Sequence, residues 1–176
     1  MSLFSLPLML NAQSVDEMLQ KVSAAIEAGQ QGQAMSYFRQ TISLNIDRTE
    51  MYYWTNIDKS SEISVKLANE LAIAFRKKRN YDKAYLFYKE LLQKAPNNVA
   101  YLESCAEMQV CRGQEKDALR MYEKILQLEA DNLAANIFLG NYYYLTAEQE
   151  KKKLETDYKK LSSPTKMQYA RYRDGL

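Results

Sequence analysis

The sequence predicts an all-α fold built from antiparallel helix pairs, and two observations predict it. The chain matches itself when it is shifted by 34 residues. Residues that break helices are scarce, with 5 Gly and 3 Pro in 176 residues. Long helices need that scarcity, because an interior Gly costs roughly 1 kcal/mol and an interior Pro about 3. An apolar fraction of 47% and a charged fraction of 26% are ordinary for a folded domain.

The self-match runs through several positions. Leu71, Cys105 and Leu139 fall at the 34-residue interval, as do Ala72, Ala106 and Gly140. Ala84 matches Ala118, Tyr88 matches Tyr122, and Asn98 matches Asn132. Leu91-Leu92-Gln93 matches Ile125-Leu126-Gln127, and Pro96, Ala130 and Pro164 share one register. Packing explains the choice of residues. Small side chains are needed where helix axes approach within roughly 8–10 Å, and large ones fill the spaces between.

Along the chain, residues 1–12 hold a short apolar run, Leu3 to Leu10, ending in Asn11-Ala12. It resembles the end of a signal peptide with Ala12 before the cut, although no Lys or Arg precedes it. The alternative is an apolar segment docked on the first helix pair. Ser14-Val15-Asp16-Glu17 reads as a capping box opening the first helix. Gly29, Ala34 and Phe38 mark the first pair, with Gly29 five residues before Ala34 as Gly113 is before Ala118. These glycines allow a turn with positive φ. An insertion follows near 47–63, where Asp47 and Glu50 suggest another helix start. The next two units, 65–98 and 99–132, are the clearest, and Asn80-Tyr81-Asp82-Lys83-Ala84 is a strong second-helix start. After Tyr144 the pattern departs: Lys152 and Thr156 stand where a small and a large residue belong. One long polar helix from about Leu133 to Leu161 is expected instead. Ser163-Pro164 then reads as an N-cap and first helical residue. The helix beyond it, within 165–176, carries Met167, Tyr169, Tyr172 and Arg173 on an apolar-basic face.

Over 14–164 the chain resembles tetratricopeptide repeat proteins, in particular exported bacterial ones, with about three complete repeats and a partial one. The resemblance implies a right-handed superhelical solenoid whose first helices line a concave, partner-binding groove.

Composition narrows the chemistry. The chain has no His, so the commonest general base and transition-metal ligand is missing. A formal charge of +2 gives no long-range attraction to nucleic acid or acidic membranes. The apolar run is too short for a bilayer, which needs about 20 residues. Cys105 and Cys111 would lie about 9 Å apart along a helix, beyond the roughly 7 Å a disulfide allows. Free thiols, at least one of them buried, are therefore expected. No phosphate loop, metal-ligand spacing or Ser/His/Asp set is present. No catalytic residue, cofactor or metal is expected.

Helical spacing selects the first-helix face left over from core packing. It holds Lys66, Asn69, Ile73, Arg76 and Lys77, then Glu103, Glu107 and Val110, and finally Ile137, Asn141 and Tyr144. These form either a binding surface or merely solvated faces. Some tetratricopeptide domains clamp a peptide carboxylate there, but Glu103 and Glu107 would repel one. Tyr52, Tyr53 and Trp54 in the insertion suggest an aromatic anchor, or a plug that fills the gap. In the run Tyr142-Tyr143-Tyr144, Tyr143 is expected in the core and Tyr144 on the groove. The basic run Glu150-Lys151-Lys152-Lys153 reads as a solvated helix with i,i+4 pairs rather than a nucleic-acid site. The expected function is a non-catalytic adaptor for a protein or peptide, placed in the periplasm or cell envelope of a Gram-negative bacterium, with a cytoplasmic alternative. A chain that self-associates through its C-terminal end is the second reading, and a carbohydrate-handling accessory or enzyme the third.

Overall fold

The computed structural model describes residues 6–160 and 165–175, with side chains described from residue 15 onward. Nine helices form among the described residues: α1 (Leu6–Glu27), α2 (Gln31–Leu44), α3 (Ile46–Asn56), α4 (Glu62–Lys77), α5 (Tyr81–Lys94), α6 (Val99–Cys111), α7 (Glu115–Leu128), α8 (Leu133–Lys159) and α9 (Lys166–Asp174). They divide into two compact units, Met1–Ala118 and Leu119–Leu176.

In the first unit, α1 packs on α2 and α4 on α5, while α2 meets α4 and α5 meets α6. This is the paired-helix pattern of tetratricopeptide-like repeats. The register residues lie where the packing argument puts them: Ala34, Ala72, Ala84, Ala106 and Ala118 are fully buried, as are Leu71 and Cys105. Phe75 of α4 stacks on Phe87 of α5 at 5.8 Å. The turns inside the pairs close alike. The backbone N–H groups of Gln30, Asn80 and Gln114 donate to the carbonyls of Ala25, Phe75 and Gln109, at 2.8, 2.9 and 2.8 Å. This is the Schellman closure, which places the preceding residue in the left-handed region. Gly29 (φ 70°) and Gly113 (φ 73°) fill that place in two turns, and Arg79 (φ 58°) fills it in the third.

Helix starts are set largely by asparagine. The side chains of Asn45, Asn80, Asn98 and Asn132 accept from backbone N–H groups three residues on, so each satisfies a donor the helix cannot. The capping-box reading of Ser14 is corrected. Helix α1 already begins at Leu6, so residue 14 lies inside it rather than at its start. Of the signal-like segment, residues 1–5 lie outside the described residues.

The insertion forms α3, lodged against α1, α2 and α4. The Arg48 guanidinium holds both carboxylate oxygens of Asp16 on α1 at 2.8 Å. Lys83 on α5 reaches Asp47 and Glu50, at 2.8 and 2.6 Å. After α3 the Lys59 ammonium donates to the carbonyls of Tyr53 and Ile57, and Lys94 donates to the Lys59 carbonyl and to Ser64 Oγ. The loop between α3 and α4 is thus held by lysines in place of a regular backbone ladder.

In the second unit, Tyr122 of α7 stacks on Phe138 of α8 at 4.4 Å. Helix α8 runs unbroken through Lys152 and Thr156, as the departing pattern predicts. Two expectations fail here. Tyr143 is 54% exposed, not core, and its hydroxyl donates to Glu123 at 3.1 Å. A Cβ built on Gly140 meets no atom within 4 Å, so no helix crosses closely at that point. The cause is common to both. By register Tyr143 and Gly140 correspond to Phe75 and Ala72, which α5 covers, whereas α8 continues unbroken past the place where the second helix of a pair would turn back. Farther on, Tyr172 of α9 stacks on Tyr158 of α8 at 4.3 Å. Thr165 caps α9 in a capping box with Gln168. Ser163 and Pro164 lie outside the described residues.

Candidate protein-interaction surface

The predicted face on α4 exists as an exposed or half-buried strip. Lys66, Arg76 and Lys77 are exposed, while Asn69 and Ile73 are half-buried. On α6, Glu103 and Glu107 are half-buried and Val110 is exposed. The two strips meet: the Arg76 guanidinium lies 3.2 Å from Glu107 Oε2. Lys66 donates to Gln31 Oε1 on α2 at 2.7 Å, and Arg39 pairs with Glu70 at 2.7 Å, so polar contacts also link α2 to α4. The acidic middle of the predicted surface is therefore half neutralised by its basic neighbour. Ile137, Asn141 and Tyr144 share an exposed face of α8 within the second unit.

The aromatic anchor reduces to one ring. Tyr53 is fully buried and its hydroxyl donates to Glu90 Oε1 at 2.6 Å. Tyr52 is buried too, its hydroxyl 2.6 Å from Ser23 Oγ. Neither is a surface anchor, because α3 turns both inward to fill the space the insertion opens. Trp54 remains 46% exposed and stacks on Phe87 at 5.2 Å. Burial and the bond to Glu90 drive the Tyr53 phenol far above its ordinary range. Burial pulls the Lys59 ammonium below its own. Cys105 is buried and its thiol is pushed up to about 12 by desolvation, whereas Cys111 is exposed. Both thiols are free.

A second feature escapes the helical-face argument because it lies on turns. The α4–α5 and α6–α7 turns border an open cleft of about 460 Å³, lined by Lys78, Arg79, Asp82, Cys111 and Arg112 among others. Arg112 is braced on three sides. Its guanidinium sits 4.4 Å from the centre of the Tyr85 ring and donates to Asp82 at 2.6 Å and to Gln109 at 2.5 Å. The sequence signal for this cleft is the run Arg76-Lys77-Lys78-Arg79, ending where the register puts a glycine.

Over 92% of its length the chain is 91% identical to a protein of Bacteroides ovatus ATCC 8483 described as a candidate protein-binding protein, whose crystal structure it matches with a TM-score of 0.82. The chain belongs to the same family as that protein. It spans 78% of the relative's chain. The TPR domain of Arabidopsis OM64 (18% identity, TM-score 0.42, covering 74% of this chain and 95% of that one) is a more distant likeness. So is the MamA protein (15% identity, TM-score 0.33, covering 70% and 77%), and neither supports an argument about this chain. No family model and no curated protein matches it. Among the described residues, no group of three or more His, Cys, Asp or Glu side chains is placed to hold a metal ion. No described helix is long and apolar enough to cross a membrane.

Proposed function

We propose that this chain is a non-catalytic scaffold that binds a protein or peptide along the first-helix faces of a tetratricopeptide-type array. The observation that carries the reading is the joined strip on α4 and α6, where Asn69, Ile73, Arg76, Glu103, Glu107 and Val110 stand clear of the core. Its mixture of amide, aliphatic and paired charged groups suits an extended peptide better than a small molecule. The description of the Bacteroides ovatus relative as protein-binding points the same way. In the finer form of this reading, the array is a right-handed superhelix of about three complete repeats plus a partial one, and the strip lies on its concave side.

The reading includes export. Residues 1–12 act as the end of a signal peptide and the partner belongs to the periplasm or cell envelope. One experiment in the native host addresses both points. A photo-reactive phenylalanine analogue replaces Asn69 in one variant and the exposed Gln93 on α5 in another. Cross-links to a discrete partner are expected from position 69 and not from position 93. Equal capture at both positions would sink the groove reading. The mature N-terminus of the same samples, read by mass spectrometry, is expected to follow Ala12, and a retained Met1 removes export.

A further inference from the structure

We propose that the cleft between the α4–α5 and α6–α7 turns is a second docking site, which takes the carboxylates of an acidic peptide segment. It lies at the turn edge of the first unit, away from the helix faces assigned above, and does not depend on that assignment.

Three observations lead there. The first is a residue kept against backbone preference. The three equivalent turns close with the same hydrogen bonds, and two of them put Gly in the left-handed position. The third puts Arg79 there, at φ 58°. A side chain is disfavoured at such a φ, and residues held in sparsely populated regions cluster at functional sites. The second is charge without internal partners. Among the described residues no hydrogen bond or ion pair engages the charged ends of Lys78 or Arg79. Of the residues that line the cleft, Asp82 is the one acid, and Arg112 already holds it. The third is preorganisation. Arg112 is fixed by Tyr85, Asp82 and Gln109; Asp82 takes its Nε and Gln109 its Nη1, so an incoming carboxylate meets the remaining Nη2 already held in place.

The site is shaped for a few carboxylates rather than for a phosphate backbone. Its cations converge on one pocket of about 460 Å³ and do not form a stripe.

The test is fluorescence anisotropy on the full chain, with a labelled octaglutamate peptide as probe and an octaglutamine peptide and an oligothymidylate of equal length beside it. The octaglutamate is expected to bind and the octaglutamine not. Lys78→Gln combined with Arg79→Gly is expected to weaken octaglutamate binding on the order of tenfold. Arg79→Gly alone is expected to raise the melting temperature while lowering affinity, since it relaxes the turn and removes the cation together. Neutralising Lys151, Lys152 and Lys153 on α8 instead is expected to leave binding unchanged. Three results overturn the proposal: an Arg79→Gly chain that binds the probe as well as the parent, an equal loss from the α8 variant, or oligothymidylate binding more tightly than octaglutamate. None of them touches the α4–α6 strip, whose cross-linking test stands separately.

Discussion

Single residues in this protein carry their information through environment more than identity. Cys105 and Cys111 are alike in sequence, yet one is sealed in the core and the other is open to solvent. The difference has a pH consequence. In the unfolded chain the Cys105 thiol ionises near its ordinary value of 9.0, and in the folded chain it stays protonated up to about 12. A raised native pKa means stability that is complete below the unfolded value and is lost as the pH climbs toward the folded one. Tyr53, raised by burial and by Glu90, adds a similar loss that begins above 10. The urea midpoint is therefore expected to fall as the pH rises past about 9. Cys105→Ala should flatten the part of that slope that starts at the thiol. Parallel pH profiles for the variant and the parent would contradict this account. Tyr53 also shows how burial changes a role. Its ring meets Phe87 at 5.5 Å and its hydroxyl donates to Glu90 Oε1, so it is part of the interior and not a handle for a partner.

At the scale of elements, the helix pairs are held at their crossings. Ala84 lies buried where α4 and α5 pack, and Ala118 is its register mate. Adding three carbons at either place forces side chains off their rotamers or pushes backbones apart. Ala84→Leu and Ala118→Leu are each expected to cost about 1–3 kcal/mol, measured by urea denaturation. An unchanged midpoint for either variant would refute the register. By contrast, the Arg48–Asp16 fork ties α3 to α1 with both side chains half exposed. Its removal should matter little beside the alanine variants, because exposed ion pairs contribute about 0–1 kcal/mol. Legibility in the sequence follows the same division. The paired helices, the long α8 and the turn glycines were readable, since each is dictated by local spacing and backbone preference. The start of α1 and the inward turn of Tyr52 and Tyr53 were not, because they depend on what lies alongside.

For the whole molecule, the second unit raises a question of company. Leu133 is 72% exposed, and Ile137 and Tyr144, which follow it along the same side of α8, are exposed as well. In the first unit, α4 places Ala72 and Phe75 under α5, while the equivalent Gly140 and Tyr143 of α8 stay open. Exposed apolar residues gathered on one helix mark surfaces that associate. We infer weak self-association through this face. Light scattering across a concentration series is expected to show mass rising with concentration, and Ile137→Glu with Leu133→Glu to abolish the rise. A strict monomer at every concentration would exclude it.

By itself the sequence determined the repeat. A 34-residue period, with alanine at the crossings and glycine or asparagine at the turns and caps, leaves one economical solution, namely antiparallel helix pairs packed in succession. The same pattern set aside the first-helix strip, because residues unused by the core must face outward. Tertiary structure alone decided three things: that Arg76 pairs with Glu107, that two of the three insertion aromatics turn inward, and that two distant turns bring Lys78, Arg79 and Arg112 to one cleft. Each depends on neighbours more than thirty positions away or on the direction in which an inserted helix is packed. Periodicity constrains neither, because it records which side of a helix a residue occupies and not what stands opposite.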